Sequence, residues 1–173
     1  PKRLMCLFEN YKNMKTIGSL LLIICLIFVF IQDLKERKVT AFLLVLVVFL
    51  LGGLHYAHSK NPPFLFSMVI NLGILCGITI LLFTVARYFL KQPFQNTIGT
   101  GDLLFFMGMA IGFPTLTFVI LFVGSLLFSW AISLLYFRHS KNKLVPLAGL
   151  QALFLCLVFL CNALFNFTNL YLL

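Results

Sequence analysis

Two aspartates are the residues of this chain with the clearest chemical potential. They are the only aspartates among its 173 residues, which include four acidic side chains in all. Asp33 ends one long apolar run, and Asp102 begins another. Two carboxyl groups at one depth of a helical bundle can share a proton, so that one takes a proton from water while the other polarises a peptide carbonyl. The pair therefore predicts hydrolytic chemistry that uses no metal and no cofactor.

The residues before Asp102 fit this interpretation. Gly99 and Gly101 precede the apolar run, where backbone freedom lets the chain turn sharply and approach another segment closely. Asp102 then lies near a helix N-terminus, where the amide dipoles favour its anion. On spacing alone a structural alternative stays open, with Asp102 as the N-cap residue of its helix and Asp33 as a charge in a loop beside the membrane.

The composition identifies the surroundings of these acids as a membrane. Hydrophobic residues make up 62% of the chain and charged residues 10%, whereas a soluble domain carries about 25% charged residues. The net charge of +9 comes from Lys and Arg that lie almost wholly between apolar runs, where membrane topology expects them. Nucleic acid is therefore not an expected partner, whereas the lipid bilayer is.

Six apolar runs predict an all-α, polytopic membrane protein, a bundle of about six transmembrane helices. The fourth run is short, and Pro114 separates it from the fifth. We expect residues 1–16 to form an N-terminal tail and residues 17–173 to form one six-helix membrane domain. The six runs are 17–32, 40–57, 65–90, 102–113, 115–137 and 147–171.

Basic residues predict the orientation of the bundle. The loops after the first, third and fifth runs, with their flanks, hold eight of them: Lys35, Arg37, Lys38, Arg87, Lys91, Arg138, Lys141 and Lys143. The opposite side holds five: Lys2, Arg3, Lys12, Lys15 and Lys60. The excess favours a cytoplasmic location for the first set. Since successive helices cross in opposite directions, both aspartates are then expected at the cytoplasmic face.

Small residues at four-residue spacing predict close helix packing in lipid. They are Gly73 and Gly77, Gly108 and Gly112, and the serines Ser125, Ser129 and Ser133. Two histidines, His55 and His58, are predicted to be interfacial residues, because two imidazoles with no acid or thiol nearby make a poor metal site. The five cysteines form no C-x-x-C pair, so no metal site is expected from them either.

Three segments together resemble the type IV prepilin peptidases, a family of membrane aspartic proteases. The stretch "IGTGDLLFFMGMAIG" at 98–112 is similar to the GxGD segment of that family. The stretch "DLKERKVTAFL" at 33–43 is similar to its first catalytic segment. The stretch "LVPLAGLQALFL" at 144–155 resembles the Pro-containing opening of its last helix. The three matches occur in the order that the family has.

The resemblance implies a function and a set of site residues. It makes 17–173 a membrane aspartic protease domain of the cytoplasmic (inner) membrane that removes the leader peptide from type IV prepilin or pseudopilin precursors at the cytoplasmic face. Asp33 and Asp102 would be catalytic, with Gly99, Gly101 and Pro146 as structural support. The resemblance implies neither cofactor nor metal, and it leaves the oligomeric state open.

The chain also departs from the family pattern. Thr40 and Ala41 stand where the family usually has Pro and Asn, and Leu104 stands where it often has Lys. These departures bear on substrate preference, since neither removes a carboxylate. The methyltransferase portion of longer members has no counterpart here, so the chain resembles the minimal, protease-only form.

Two other functions stay open as alternatives. A non-enzymatic transporter subunit or membrane scaffold would also have six helices, but transporters place charges or broken helices near mid-membrane and often show an internal repeat. The chain shows no such repeat. A protease of the signal-peptide-peptidase and presenilin type would pair GxGD with Tyr-Asp and Pro-Ala-Leu, whereas Gln32 precedes Asp33 here and Leu147 follows Pro146.

Overall fold

The protein is an all-α membrane bundle, as the sequence predicts. The computed structural model describes residues 2–36, 39–59, 63–88, 99–137, 147–165 and 170–171. Within these residues the regular structure is entirely helical, and a π-helical turn at Ser133–Phe137 follows the fifth helix. The helices are α1 Lys2–Glu36, α2 Ala41–Ser59, α3 Pro63–Tyr88, α4 Thr100–Gly112, α5 Thr115–Ile132 and α6 Leu147–Phe165.

Five of the helices are long and apolar enough to cross a membrane, and α4 is the exception. It contains 13 residues, which at ~1.5 Å per residue gives about 20 Å. The hydrocarbon core of a bilayer is about 30 Å thick, so α4 alone is too short to cross it. The spans are Met14–Glu36, Ala41–Ser59, Pro63–Val85, Thr115–Leu135 and Leu147–Phe165.

The short helix α4 lies inside a ring of the five long ones. Around the ring, α1 packs against α2, α2 against α3, α3 against α5, α5 against α6, and α6 against α1. Inside it, α4 packs against α2, α3, α5 and α6. Large apolar side chains such as Phe42, Phe66 and Leu135 are exposed on the outside of the ring, as a lipid-facing surface requires.

Two glycines let α4 approach α2 closely. A Cβ atom at Gly108 would lie 3.1 Å from Cγ2 of Val48, and a Cβ atom at Gly112 would lie 2.7 Å from Cβ of Leu51. Phe105 and Met109 are fully buried, so α4 is covered on several sides. The packing predicted from the second glycine pair is therefore confirmed.

The packing predicted from the first glycine pair is wrong. A Cβ atom at Gly73 or Gly77 would meet nothing within 4 Å, because both glycines lie on the exposed side of α3. The serine stripe of α5 is buried at Ser125 and Ser129 and only partly buried at Ser133. Four-residue spacing marks one face of a helix, but it does not tell whether that face meets protein or lipid.

We predict that Gly112→Ala destabilises the bundle by about 1–3 kcal/mol, because the new methyl group overlaps Leu51 on the facing helix. Gly77→Ala is the matched control, and it should be neutral or stabilising by up to about 1 kcal/mol, since alanine favours helix and finds open space there. Thermal unfolding of the detergent-solubilised protein measures both. Equal stability of the two variants would contradict the α2–α4 packing.

Candidate functional site

Asp33 lies against the N-terminus of a helix more than a hundred residues away in sequence. Its Oδ2 atom accepts a hydrogen bond from the backbone N–H of Gly149 at 2.6 Å. The side chain is buried, with 6% of the residue exposed. Gly149 is the third residue of α6, where backbone N–H groups have no partner within the helix and the helix dipole is positive. The carboxylate of Asp33 therefore satisfies a free amide of α6.

Asp102 occupies the first turn of α4. Its Oδ2 atom accepts a hydrogen bond from the backbone N–H of Gly99 at 3.3 Å, and Gly99 is the N-cap residue. Since glycine has no side chain, this is the half of a capping box in which the carboxylate reaches back to the N-cap amide. The backbone amide of Ala148 also interacts with the Asp102 carboxyl group. The residue is half-buried.

The structure thus brings the two aspartates together at one place, the first turn of α6. The amide of Ala148 faces Asp102, and the next amide, that of Gly149, donates to Asp33. The two carboxyl groups are close enough for the charge of Asp33 to act on Asp102. Three helix ends meet here, namely the C-terminal turn of α1 and the N-terminal turns of α4 and α6.

Gly149 is a site residue that sequence reasoning missed. A Cβ atom at this position would lie 2.9 Å from both Cβ and Oδ2 of Asp33, a distance that real Cβ atoms do not tolerate. Only glycine therefore lets α6 approach Asp33 closely enough for the 2.6 Å hydrogen bond. The available signal in the sequence was Ala148 and Gly149, two small residues at the opening of the last apolar run. Pro146 itself lies outside the described residues.

The two glycines before Asp102 do not form the predicted sharp turn. Gly99 has φ −71° and ψ 147°, a conformation open to any residue, and Gly101 is already inside α4. The prediction of a turn that needs glycine is therefore wrong. What Gly99 provides is space, since a Cβ atom there would lie 3.2 Å from Oδ2 of Asp102. A Cβ atom at Gly101 would make an ordinary contact of 3.6 Å with Cδ1 of Leu44.

Thr40 ties α2 to α1 beside the site. The side chain of Gln32 donates to Oγ1 of Thr40 at 2.6 Å, and the backbone N–H of Thr40 donates to Oε1 of Gln32 at 3.2 Å. The carbonyl of Thr40 accepts from Leu43, so Thr40 stands at the N-terminus of α2. Gln32 directly precedes Asp33. This reciprocal pair of hydrogen bonds gives Thr40 a local structural role.

A buried amide lies one helical turn deeper in α6. Gln151 follows Ala148 by three residues and so shares its face of the helix. It is fully buried, and neither its Nε2 nor its Oε1 has a hydrogen-bond partner within the described part of the chain. Leaving a buried amide without hydrogen-bond partners costs stability. Gln151 is a buried polar residue of α6, one turn from Ala148, that the sequence did not single out.

Comparisons with known proteins add no assignment. No protein-family model matches the chain, and neither a curated protein nor a solved structure matches it significantly. Among the described residues, no group of three or more His, Cys, Asp or Glu side chains is placed to hold a metal ion. The two carboxyl groups and the amides that face them define the candidate site.

We predict that Asp33→Leu and Asp33→Asn differ in stability. The leucine variant leaves the amide of Gly149 buried without its partner, which should cost about 1–3 kcal/mol. The asparagine variant keeps an acceptor oxygen and removes a negative charge beside Asp102, so it should be as stable as wild type or more stable. Thermal unfolding in detergent measures both.

Glu36→Gln is the control for this comparison, because Glu36 is exposed at the end of the same helix and should not affect the unfolding temperature. An Asp33→Leu variant as stable as wild type would show that Asp33 does not hold the N-terminus of α6.

Proposed function

We propose that this protein is a membrane-embedded aspartic endopeptidase that cleaves the leader peptide of type IV prepilin-like precursors at the cytoplasmic membrane face. The observation that carries the proposal is the convergence of the only two aspartates of the chain on the first turn of α6. The ordered resemblance of three segments to prepilin peptidases supplies the substrate class.

The arrangement supports a general acid–base mechanism. One carboxylate accepts a proton from a water molecule, whose oxygen attacks the carbonyl carbon of the scissile peptide bond. The other carboxyl group is protonated and donates its proton to the carbonyl oxygen as the tetrahedral intermediate forms. The intermediate then collapses to a carboxylic acid and an amine, with a proton passing to the leaving nitrogen. The water oxygen ends in the new carboxyl group.

The N-terminal turns of two helices face the pair of acids. Asp102 lies in the first turn of α4, and Asp33 faces the first turn of α6, so each carboxyl group meets the positive end of a helix dipole. Carboxyl groups that interact this closely release their protons in steps that belong to the pair. One anion and one neutral acid is the state that peptide hydrolysis requires.

The position of the site fits a substrate that is itself a membrane protein. Asp33 is three residues from the end of α1, and Asp102 is the third residue of α4, so both lie at one end of the bundle. A peptide bond just outside a substrate's transmembrane helix would reach this depth. The distribution of basic residues supports a cytoplasmic location for this end, in the cytoplasmic membrane.

We predict that Asp33→Asn and Asp102→Asn each abolish leader cleavage, because an amide keeps the shape of the carboxyl group but cannot exchange its proton. The assay is co-expression with prepilin and pseudopilin precursors, followed by the size of the product on a gel. Glu36→Gln should keep most of the activity, since this exposed carboxylate lies outside the pair.

Retained cleavage in either asparagine variant would overturn the assignment of the two aspartates. A wild-type protein that cleaves none of the precursors would favour the alternative function of a transporter subunit or scaffold.

A second prediction concerns Gly149→Ala. The added methyl group must displace the side chain of Asp33, and a misplacement of about 1 Å at a catalytic group can lower the rate by about 100-fold. Gly53→Ala is the matched control, because a Cβ atom at Gly53 would meet nothing within 4 Å. The measurement is the cleavage rate of the two purified variants. A Gly149→Ala variant as fast as Gly53→Ala would contradict the role of Gly149 in leaving room for Asp33.

A further inference from the structure

The C-terminus of α4 lies inside the bundle. The helix ends at Gly112, and Phe113 and Pro114 follow before α5 begins. The last four carbonyl groups of any helix lack partners within it. In a membrane, carbonyl groups without water must find partners in the protein, because leaving each unsatisfied costs several kcal/mol. Phe113 is fully buried, so its own carbonyl belongs to this requirement.

Two buried side chains from the ring bind three of the carbonyls at this end, those of Ala110, Ile111 and Phe113. Nδ1 of His55, in α2, lies 2.7 Å from the carbonyl oxygen of Ile111. Since a carbonyl oxygen only accepts, this geometry assigns the proton to Nδ1. Nδ2 of Asn71, in α3, donates to the carbonyl oxygens of Ala110 and Phe113, each at 2.8 Å. His55 and Asn71 are both 0% exposed.

Aromatic rings hold His55 in this orientation. The ring of Phe64 meets it edge-on, with centroids 4.9 Å apart, and the ring of Tyr171 stacks at 6.2 Å. Tyr171 also stacks on Phe113 at 5.9 Å, so the residue after α4 belongs to the same cluster. His55, which the sequence predicts to be interfacial, is enclosed by protein. It is a buried residue that binds the end of another helix.

We infer that His55 and Asn71 are positioning residues for Asp102, and this inference rests on the proposed function. Helix α4 carries Asp102 in its first turn, and its last carbonyls are fixed by hydrogen bonds to α2 and α3. Because a helix of 13 residues moves as a rigid rod, fixing one end fixes the depth of the other. The two side chains thereby set the height of Asp102 relative to Asp33 on α1.

The same helix supplies a control residue. His58 is three residues after His55, and its Nδ1 lies 2.7 Å from the carbonyl oxygen of Leu54, in its own helix. Its ring stacks on Tyr171 with centroids 4.2 Å apart. It therefore shares the contact of His55 with Tyr171, but His58 is exposed and its imidazole bonds to α2 itself. A substitution of His58 removes an imidazole from this cluster and leaves the carbonyls of α4 satisfied.

The test compares His55→Leu, Asn71→Leu and His58→Leu in the cleavage assay, with kcat and KM measured separately from rates over a range of prepilin concentrations that reaches saturation. We expect kcat to fall by about tenfold or more for the first two variants, since a shift of about 1 Å can cost up to about 100-fold. KM should remain close to the wild-type value, because the peptide-binding surface is intact. His58→Leu should stay within about twofold of wild type.

His55→Asn is the conservative variant, because the Asn amide can present an N–H close to the position of Nδ1. It should restore most of the kcat lost in His55→Leu, which general loss of core packing would not explain. Unchanged kcat in both folded leucine variants, or an equal loss in His58→Leu, would overturn the inference. If His55→Leu does not fold, the kcat values of Asn71→Leu and His55→Asn test the same inference.

A measurement without catalysis separates this inference from the proposed function. Spin labels at Phe28 on α1 and Met107 on α4, both exposed positions, report the distance between these helices in a variant whose native cysteines are replaced. We expect His55→Leu and Asn71→Leu to shift or broaden that distance and His58→Leu to leave it unchanged. An unchanged distance in all three would overturn the positioning role, whether or not the wild-type protein cleaves prepilins.

Discussion

The rest of the structure depends on one constraint. The backbone N–H and C=O groups at the ends of α4, a helix too short to cross the membrane, need hydrogen-bond partners. With 13 residues, α4 begins at the exposed Gly99 and Thr100 and ends with its last carbonyls inside the protein. Asp102 reaches back to the amide of Gly99 at the first end, and His55 and Asn71 bind the carbonyls at the second. A surrounding ring of long helices supplies His55 and Asn71 and covers the apolar sides of α4.

The same constraint explains why the acids meet where they do. The first turn of α6 also presents free amides, and the carboxylate of Asp33 is the partner of one of them. Asp33 can reach it only because Gly149 has no side chain. A structural role as a helix-end partner and a chemical role as an acid are therefore compatible in one residue. The chemical role depends on the second carboxyl group, since a lone buried acid has no partner with which to share a proton.

Much of the fold could be predicted from the sequence, because apolar runs of membrane length specify helices directly. The shortness of α4 and the common location of the aspartates followed from run lengths and alternating helix directions. The roles of Gly149, His55 and Asn71 could not be predicted, since each depends on which residue of a distant helix lies opposite. The packing prediction for Gly73 and Gly77 was wrong for the same reason. Their spacing is local information, whereas the identity of the residue opposite them depends on the tertiary structure.

The most direct test of the central claim, that Asp33 and Asp102 act on one reacting centre, is the binding of a mimic of the tetrahedral intermediate. The probe is a prepilin leader-junction peptide whose scissile amide is replaced by a secondary alcohol, titrated by calorimetry into the wild-type protein and into each Asp→Asn variant. The account predicts that wild type binds this peptide at least about 100-fold more tightly than the parent amide peptide, and that either substitution removes the advantage. Equal affinity for the alcohol peptide in the wild-type protein and both variants would contradict it.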